Sequence, residues 1–374
     1  MSTLFEHIQT LPDPRQANKC AHRLGDIVFM VLCGLLVGAD DWKSIARYAQ
    51  EKETWFRRYL MLPSGIPSHD TFNRVISLLP PDRFHDLFIE WVQDVLLDGK
   101  TTTGIIAVDG KTQRGSRTTA GQAIHTVNAW STEAGICLGQ LKTEDKSNEI
   151  TAVPKLLKKL AIKGCLITAD AMSCQKKIAQ QIVEQEADYL LAVKHNQRTL
   201  YETIDQRFMT YWKTHADDQP DTPIFDEQST RAHGRGEHRR CWILPATDLD
   251  PRFSEWDIKT LAAVQYDRVK GSRQQTDVRY FISSRVMNAD VLLSSTRQHW
   301  SVENSLHWVL DVAFNEDHSR ARQGFAAENL ATGRQVALNL LKQDTTTKLG
   351  MANRRKLCGW SQDYLEQILA QVVR

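Results

Sequence analysis

The segment Gly104-Ile-Ile-Ala-Val-Asp-Gly-Lys111 decides how the chain is read. Its solid apolar run fits a strand buried on both faces, and it marks a change of period along the chain. Before it, apolar residues recur every three or four positions: Trp42, Ile45, Ala46 and Ala49, then Phe72, Val75, Ile76 and Leu79, then Leu87, Phe88 and Trp91. Pro67-Ser-His-Asp70 reads as a helix start with Ser68 as its cap. Asp98-Gly99-Lys100 and the threonines that follow are a polar break. The expected organisation is a helical domain over residues 1–98 and an α/β domain over 99–374.

Beyond residue 111, the stretches 124–130 and 136–141 read as strands around the turn Glu133-Ala-Gly135. A helix over 150–160, a strand over 165–169, a helix over 175–185 started by Ser173, and a strand over 189–193 follow. Crossover helices of this length imply parallel pairing of the later strands. Residues 198–287 break the rhythm with Pro220, Pro223, Pro245 and Pro251 and with β-rich patches, and are expected to be a mixed, β-rich insertion. From Val291 onward helical periodicity returns.

Composition narrows the function without naming it. The chain has 374 residues, 41% hydrophobic and 25% charged, which is ordinary for a globular protein and excludes a disordered or collagen-like one. Lys and Arg (47) nearly balance Asp and Glu (45), so any polyanionic partner must be met by local rather than overall charge. Seven cysteines without a CxxC pair read as reduced thiols of a cytosolic protein. The uncharged run over 27–39 falls short of the ~18 residues that a membrane span needs. The start MSTLFEHIQT has no secretory pattern, so no membrane partner is expected.

Two aspartates stand in matching places. Asp109 follows Ile-Ile-Ala-Val, and Asp170 follows Leu-Ile-Thr-Ala. The carboxyl ends of parallel strands border the crevice where α/β sheets bind ligands, although a single such Asp is as often a turn cap. A third carboxylate, Glu303, lies beside the apolar stripe Val302, Leu306, Val309 and Ala313, with His299 and His307 one turn to either side. Two unit charges 4 Å apart repel by ~4 kcal/mol at an effective dielectric of 20, so three converging carboxylates require a proton or a cation. Oxygen ligands suit Mg2+ or Mn2+, and a pair of such ions suits phosphoryl transfer. A zinc site at His299, Glu303 and His307 is the sharper alternative, but it has no evident fourth ligand.

The stretches AVDGKTQRGS (107–116), TEDKSNEI (143–150), LITADAMSCQKKIA (166–179), YLLAVKHNQ (189–197) and HWSVENSLHWVLDVAFNEDHSR (299–320) resemble those of the H-repeat-associated transposases, bacterial insertion-sequence enzymes with an Asp-Asp-Glu site. Residues 13–15 (DPR) and 65–75 (GIPSHDTFNRV) resemble their associated helical domain. The resemblance implies a ribonuclease-H-like catalytic domain with Asp109, Asp170 and Glu303 as catalytic, metal-binding acids. It further implies cleavage of transposon ends, transfer to a target, double-stranded DNA as partner and a homodimer on that DNA. In related transposases a Tyr, an Arg and a Lys around the third acid handle DNA; the matching positions here are Thr296, His299 and Leu310. Lys111, Arg114 and Lys194 lie near the strand ends, and Arg231 and Arg235 open a basic stretch that includes Arg239 and Arg240. A second basic stretch over 264–285 contains Arg268, Arg273 and Arg279. With Arg297 and His299, these are the expected DNA contacts. The alternatives are a domesticated DNA-binding protein without catalysis and a metal-dependent nuclease without strand transfer.

Overall fold

The computed structural model describes residues 3–100, 102–117, 123–143, 149–215, 224–232, 235–270 and 273–373. The amino-terminal helices are α1 (Leu4–Gln9), α2 (Leu24–Val37), α3 (Trp42–Glu51), α4 (Glu53–Phe56), α5 (His69–Leu78) and α6 (Pro81–Trp91). Ser68 caps α5 as expected, its hydroxyl accepting the Thr71 N–H at 3.3 Å. Helix α2 is buried on every side over its first thirteen residues, Leu24 to Leu36, which its nearly unbroken apolar sequence requires.

Strands β1 (Ile105–Gln113), β2 (Ile124–Ser131) and β3 (Ile136–Thr143) form an antiparallel meander. Helix α7 (Glu149–Lys158) leads to β4 (Leu166–Ala169), and α8 (Lys176–Glu184) leads to β5 (Asp188–Val193). β4 lies parallel to both β1 and β5, so the order β3-β2-β1-β4-β5 is the ribonuclease-H-like arrangement. Helix α8 is not started by Ser173: Gln175 occupies its cap position, while the Ser173 N–H turns back to Asp170.

After α9 (Arg198–Thr214) come four long antiparallel strands, β6 (Phe225–Ala232), β7 (Arg235–Pro245), β8 (Thr260–Lys270) and β9 (Arg273–Ser283). They do not stand apart from the sheet. β9 pairs with β5 from Leu190↔Ser283 to Val193↔Tyr280, giving one nine-stranded sheet ordered β3-β2-β1-β4-β5-β9-β8-β7-β6. Helix α10 (Ala289–His299) covers the inner face of this extension, where Cys241, Val264, Tyr266, Leu292 and Leu293 pack together. The chain continues through α11 (Trp308–Ala313), α12 (Ala326–Gln343), α13 (Met351–Trp360) and α14 (Gln362–Val373).

Helix α12 is buried from Ala326 to Leu341 because it runs between the amino-terminal helices and the sheet. Gly333 permits its close approach to α2, since a Cβ there would sit 2.9 Å from Leu35 Cδ1. The first and last helices therefore share one apolar core. On its sheet side α12 is polar. Gln335 Nε2 donates to Asn128 Oδ1 at 2.6 Å and to Gln140 Oε1 at 2.8 Å, and Asn339 exchanges two hydrogen bonds with the Cys137 backbone. A satisfied buried network of this kind fixes where the helix sits on β2 and β3.

Candidate active site

The strand ladders explain the placement of the two aspartates. β1 pairs with β4 only from Ile105↔Leu166 to Val108↔Ala169, but with β2 as far as Gln113↔Ile124. Asp109 therefore lies within β1 rather than at its end, at the first position where the strand has lost its parallel neighbour. Asp170 directly follows the last residue of β4, so the two carboxylates lie side by side where the sheet opens. Asp170 is also a turn cap, its Oδ1 accepting the N–H groups of Met172 (3.0 Å) and Ser173 (3.2 Å).

Glu303 opens a single π-turn, Glu303–His307, closed by the Trp308 N–H on the Glu303 carbonyl. The wider turn adds a residue and shifts the helical register. The buried stripe consequently runs Val302, Leu306, Leu310 and Phe314, whereas the expected Val309 and Ala313 are only partly buried. The turn also brings His307 inward. Among the described residues, ligand atoms of Asp109, Glu303 and His307 lie within 4.8 Å of one another. His307 Nδ1 is 3.2 Å from Glu303 Oε2 and 3.6 Å from Asp109 Oδ2, while its Nε2 stands 3.5 Å from Asn128 Nδ2 of the α12 network. Asp170 lines the same cleft, as do Thr168, Lys194 and His299.

Electrostatics marks Asp109 as the strained member. Burial pushes its carboxyl up to about 6, with Asp170 and Glu303 adding to the rise and His307 opposing it. Burial also raises Asp170, whereas the His307 hydrogen bond holds Glu303 below the ordinary carboxylate range. A cluster of desolvated acids with one imidazole as partner lacks positive charge, and its oxygen-rich donor set fits a divalent cation. Behind Asp109, the buried His125 and Glu149 meet at 2.5 Å. Gly110 is required beneath them, because a Cβ at 110 would collide with the Glu149 carboxylate and lie 2.7 Å from His125 Nε2. No periodicity in the sequence announces this pair, since its members come from β2 and the start of α7.

The basic residues divide sharply. Lys111 is turned inward and only 6% exposed, with Nζ 2.6 Å from Asp311 and 2.9 Å from Glu316. Its place is a buried ion cluster rather than a DNA contact, and these carboxylates outweigh burial to hold its ammonium above the ordinary range. His299 bonds the Thr168 hydroxyl at 3.0 Å, and burial pushes its imidazole down to about 4. It also stands apart from the Asp109–Glu303–His307 group, so the zinc site on His299, Glu303 and His307 is not assembled. Lys194 is exposed and lines the cleft. Arg114, Arg231 and Arg297 are outside that lining, Arg114 lying 3.7 Å from Asp317 and Arg231 on the outermost strand. The side chain of Arg235 is outside the described residues. Arg279, by contrast, reaches the cleft from β9.

Residues 5–92 match the family model described as "DDE_Tnp_1-associated", and residues 100–340 match "Transposase DDE domain". The chain is 40% identical to "Putative transposase YncI" of Escherichia coli O157:H7, over 99% of this chain and 95% of that one. It is 38% identical to "H repeat-associated putative transposase YhhI" of Escherichia coli K12, over 99% and 98% respectively. Among solved structures, a piggyBac transposase synaptic complex with hairpin DNA aligns at a TM-score of 0.45 with 10% identity, covering 99% of this chain and 80% of that one. Among the described residues, no helix is long and apolar enough to cross a membrane.

Proposed function

This chain belongs to the H-repeat-associated DDE transposases, enzymes that act on DNA, and from that premise we propose that it cuts the ends of its own insertion sequence and joins them to target DNA. The observation that carries this reading is the convergence of Asp109 and Glu303 with His307, in a cleft that Asp170 also lines, where the parallel strands end. Asp109, Asp170 and Glu303 would hold the divalent ions, Mg2+ or Mn2+, that this family uses. When bound, a pair of such ions supplies an activated attacking oxygen and charge neutralisation at the leaving one.

The remaining chemistry falls to the protein. His307, steadied by Asn128, keeps Glu303 ionised and turned toward Asp109. The ends of β1 and β4 and the π-turn that leads into α11 hold the acids, so little reorganisation is needed when the phosphate arrives. Lys194, exposed at the rim of the cleft, favours the approach of the DNA backbone. Two ends have to be brought together for transposition, so the working form is a homodimer on DNA.

The test is a cleavage and joining assay with Mg2+ or Mn2+, on DNA carrying the repeats that flank the gene. Wild type should cut and join, while Asp109→Ala, Asp170→Ala and Glu303→Ala bind the same DNA without cutting it. An alanine variant cutting at the wild-type rate removes that residue from the site. Cutting without joining would make the protein a nuclease. Binding alone by the wild type would make it a domesticated binder.

A further inference from the structure

The cleft beside the acids has a volume of about 280 Å3, and among the described residues two of its lining side chains, Lys194 and Arg279, are cations. Lys194 is exposed on the lip, just past the end of β5. Arg279 is held differently. Its guanidinium carbon lies 5.0 Å from the centre of the Tyr266 ring and 6.0 Å from that of Trp300. Tyr266 is buried, whereas Trp300 is half-exposed next to the helical turn that carries Glu303.

The Nε of Arg279 donates to Asp277 Oδ2 at 2.9 Å, and this is the one hydrogen bond its side chain makes among the described residues. Both terminal amino groups are therefore left for a ligand. A guanidinium packed against rings and tied at one edge is a pre-oriented fork, which matches the oxygens of a phosphate. Arg239 and Arg240 engage a terminal amino group on Glu237 and Asp267, whereas Arg268 is tied through Nε to Glu237 much as Arg279 is ion-paired to Asp277; of these four, Arg279 is the one that lines the cleft. A cleft lined by three carboxylates repels a polyanion, so a fixed cation on its wall offsets that repulsion where the strand must pass.

We infer that Arg279 binds a phosphate of the DNA strand, next to the phosphate that is cut at Asp109, Asp170 and Glu303. The inference rests on the proposed cleavage at those acids. Trp300 is then the exposed ring beside that guanidinium, 6.0 Å away at the mouth of the contact.

The test uses full-length protein and duplex DNA carrying one flanking repeat, with a single neutral methylphosphonate placed in turn at each phosphate near the cut. Affinity is measured across salt concentrations without divalent ions, and cleavage is measured with Mn2+. Arg279→Ala should weaken binding roughly tenfold or more. It should also lower the slope of log Kd against log salt by about one. One methylphosphonate position should weaken wild type but leave Arg279→Ala unchanged, and Arg279→Lys should recover part of the affinity. If the alanine variant melts early, Arg279→Gln, which keeps a planar group between the rings, replaces it. Wild-type affinity and slope in the variant, or equal sensitivity of both proteins at every position, overturns the inference. Wild type that binds without cutting sinks the cleavage reading, and the binding scan then decides the contact alone. Absence of binding overturns both.

Discussion

Asp109→Asn should make the metal-free protein more stable at pH 8 while changing little at pH 4. The Asp109 carboxyl is only 27% exposed and titrates near 6 in the fold instead of at its ordinary 3.8. A gap of about two pH units corresponds to ~3 kcal/mol by which the fold disfavours the charged form. The sign follows from proton binding. Between pH 3.8 and about 6 the folded chain holds this proton while the unfolded chain has released it, so stability falls as pH rises through that window. Below the window Asp109 contributes no penalty, and above it the penalty is complete. Asparagine keeps the shape without the charge, and His307 retains Glu303 as a partner at 3.2 Å. Urea unfolding in EDTA, followed by tryptophan fluorescence, should show the variant and wild type equal near pH 4. The variant should then lead by up to ~3 kcal/mol at pH 8. Mg2+ should narrow the gap by stabilising wild type more than the variant. An asparagine variant no more stable than wild type at pH 8 would refute the claim that Asp109 is a desolvated carboxylate waiting for a cation.

Three further outcomes are expected. Gly110→Ala should lower the melting temperature, by overpacking worth ~1–3 kcal/mol, and should abolish cleavage, because the new Cβ collides with Glu149 and His125; an unchanged melting temperature contradicts that packing. Lys111→Met removes the cation that Asp311 and Glu316 share, leaving Glu316 only the more distant Arg334 at 4.0 Å, and should destabilise by ~3 kcal/mol or more. The salt dependence of DNA binding by the folded fraction should stay as in wild type, and a lower slope would return Lys111 to the DNA contacts. Leu310→Ala should cost ~2–5 kcal/mol in chemical unfolding and Val309→Ala clearly less, and the reverse order would remove the π-turn.

Much of the architecture is local and was legible. The apolar runs ending at Val108 and Ala169 are strands because both faces of the sheet are covered, and Ser68 caps a helix because an unpaired N–H is available three residues on. The candidate acids are marked by motif, since Asp109, Asp170 and Glu303 each occur in a distinctive stretch, and the fold brings all three to one cleft. His307 was visible one turn from Glu303, but its inward direction was not, because a π-turn is a backbone adjustment to packing that leaves no mark in the residue pattern.

Most strands of the first half of the sheet, the amino-terminal helices and the family motifs are legible in the residue pattern because they depend on neighbours a few residues apart, whereas the start of α8, the apolar stripe beyond Glu303 and the four long strands after α9 are not. The fate of the charges depends on the packed fold. Lys111 is neutralised by Asp311, two hundred positions away, while Arg279 reaches the cleft because β9 pairs with β5. A basic residue's role is set by the carboxylates and rings that distant segments bring to it, and one-dimensional spacing contains no record of those meetings.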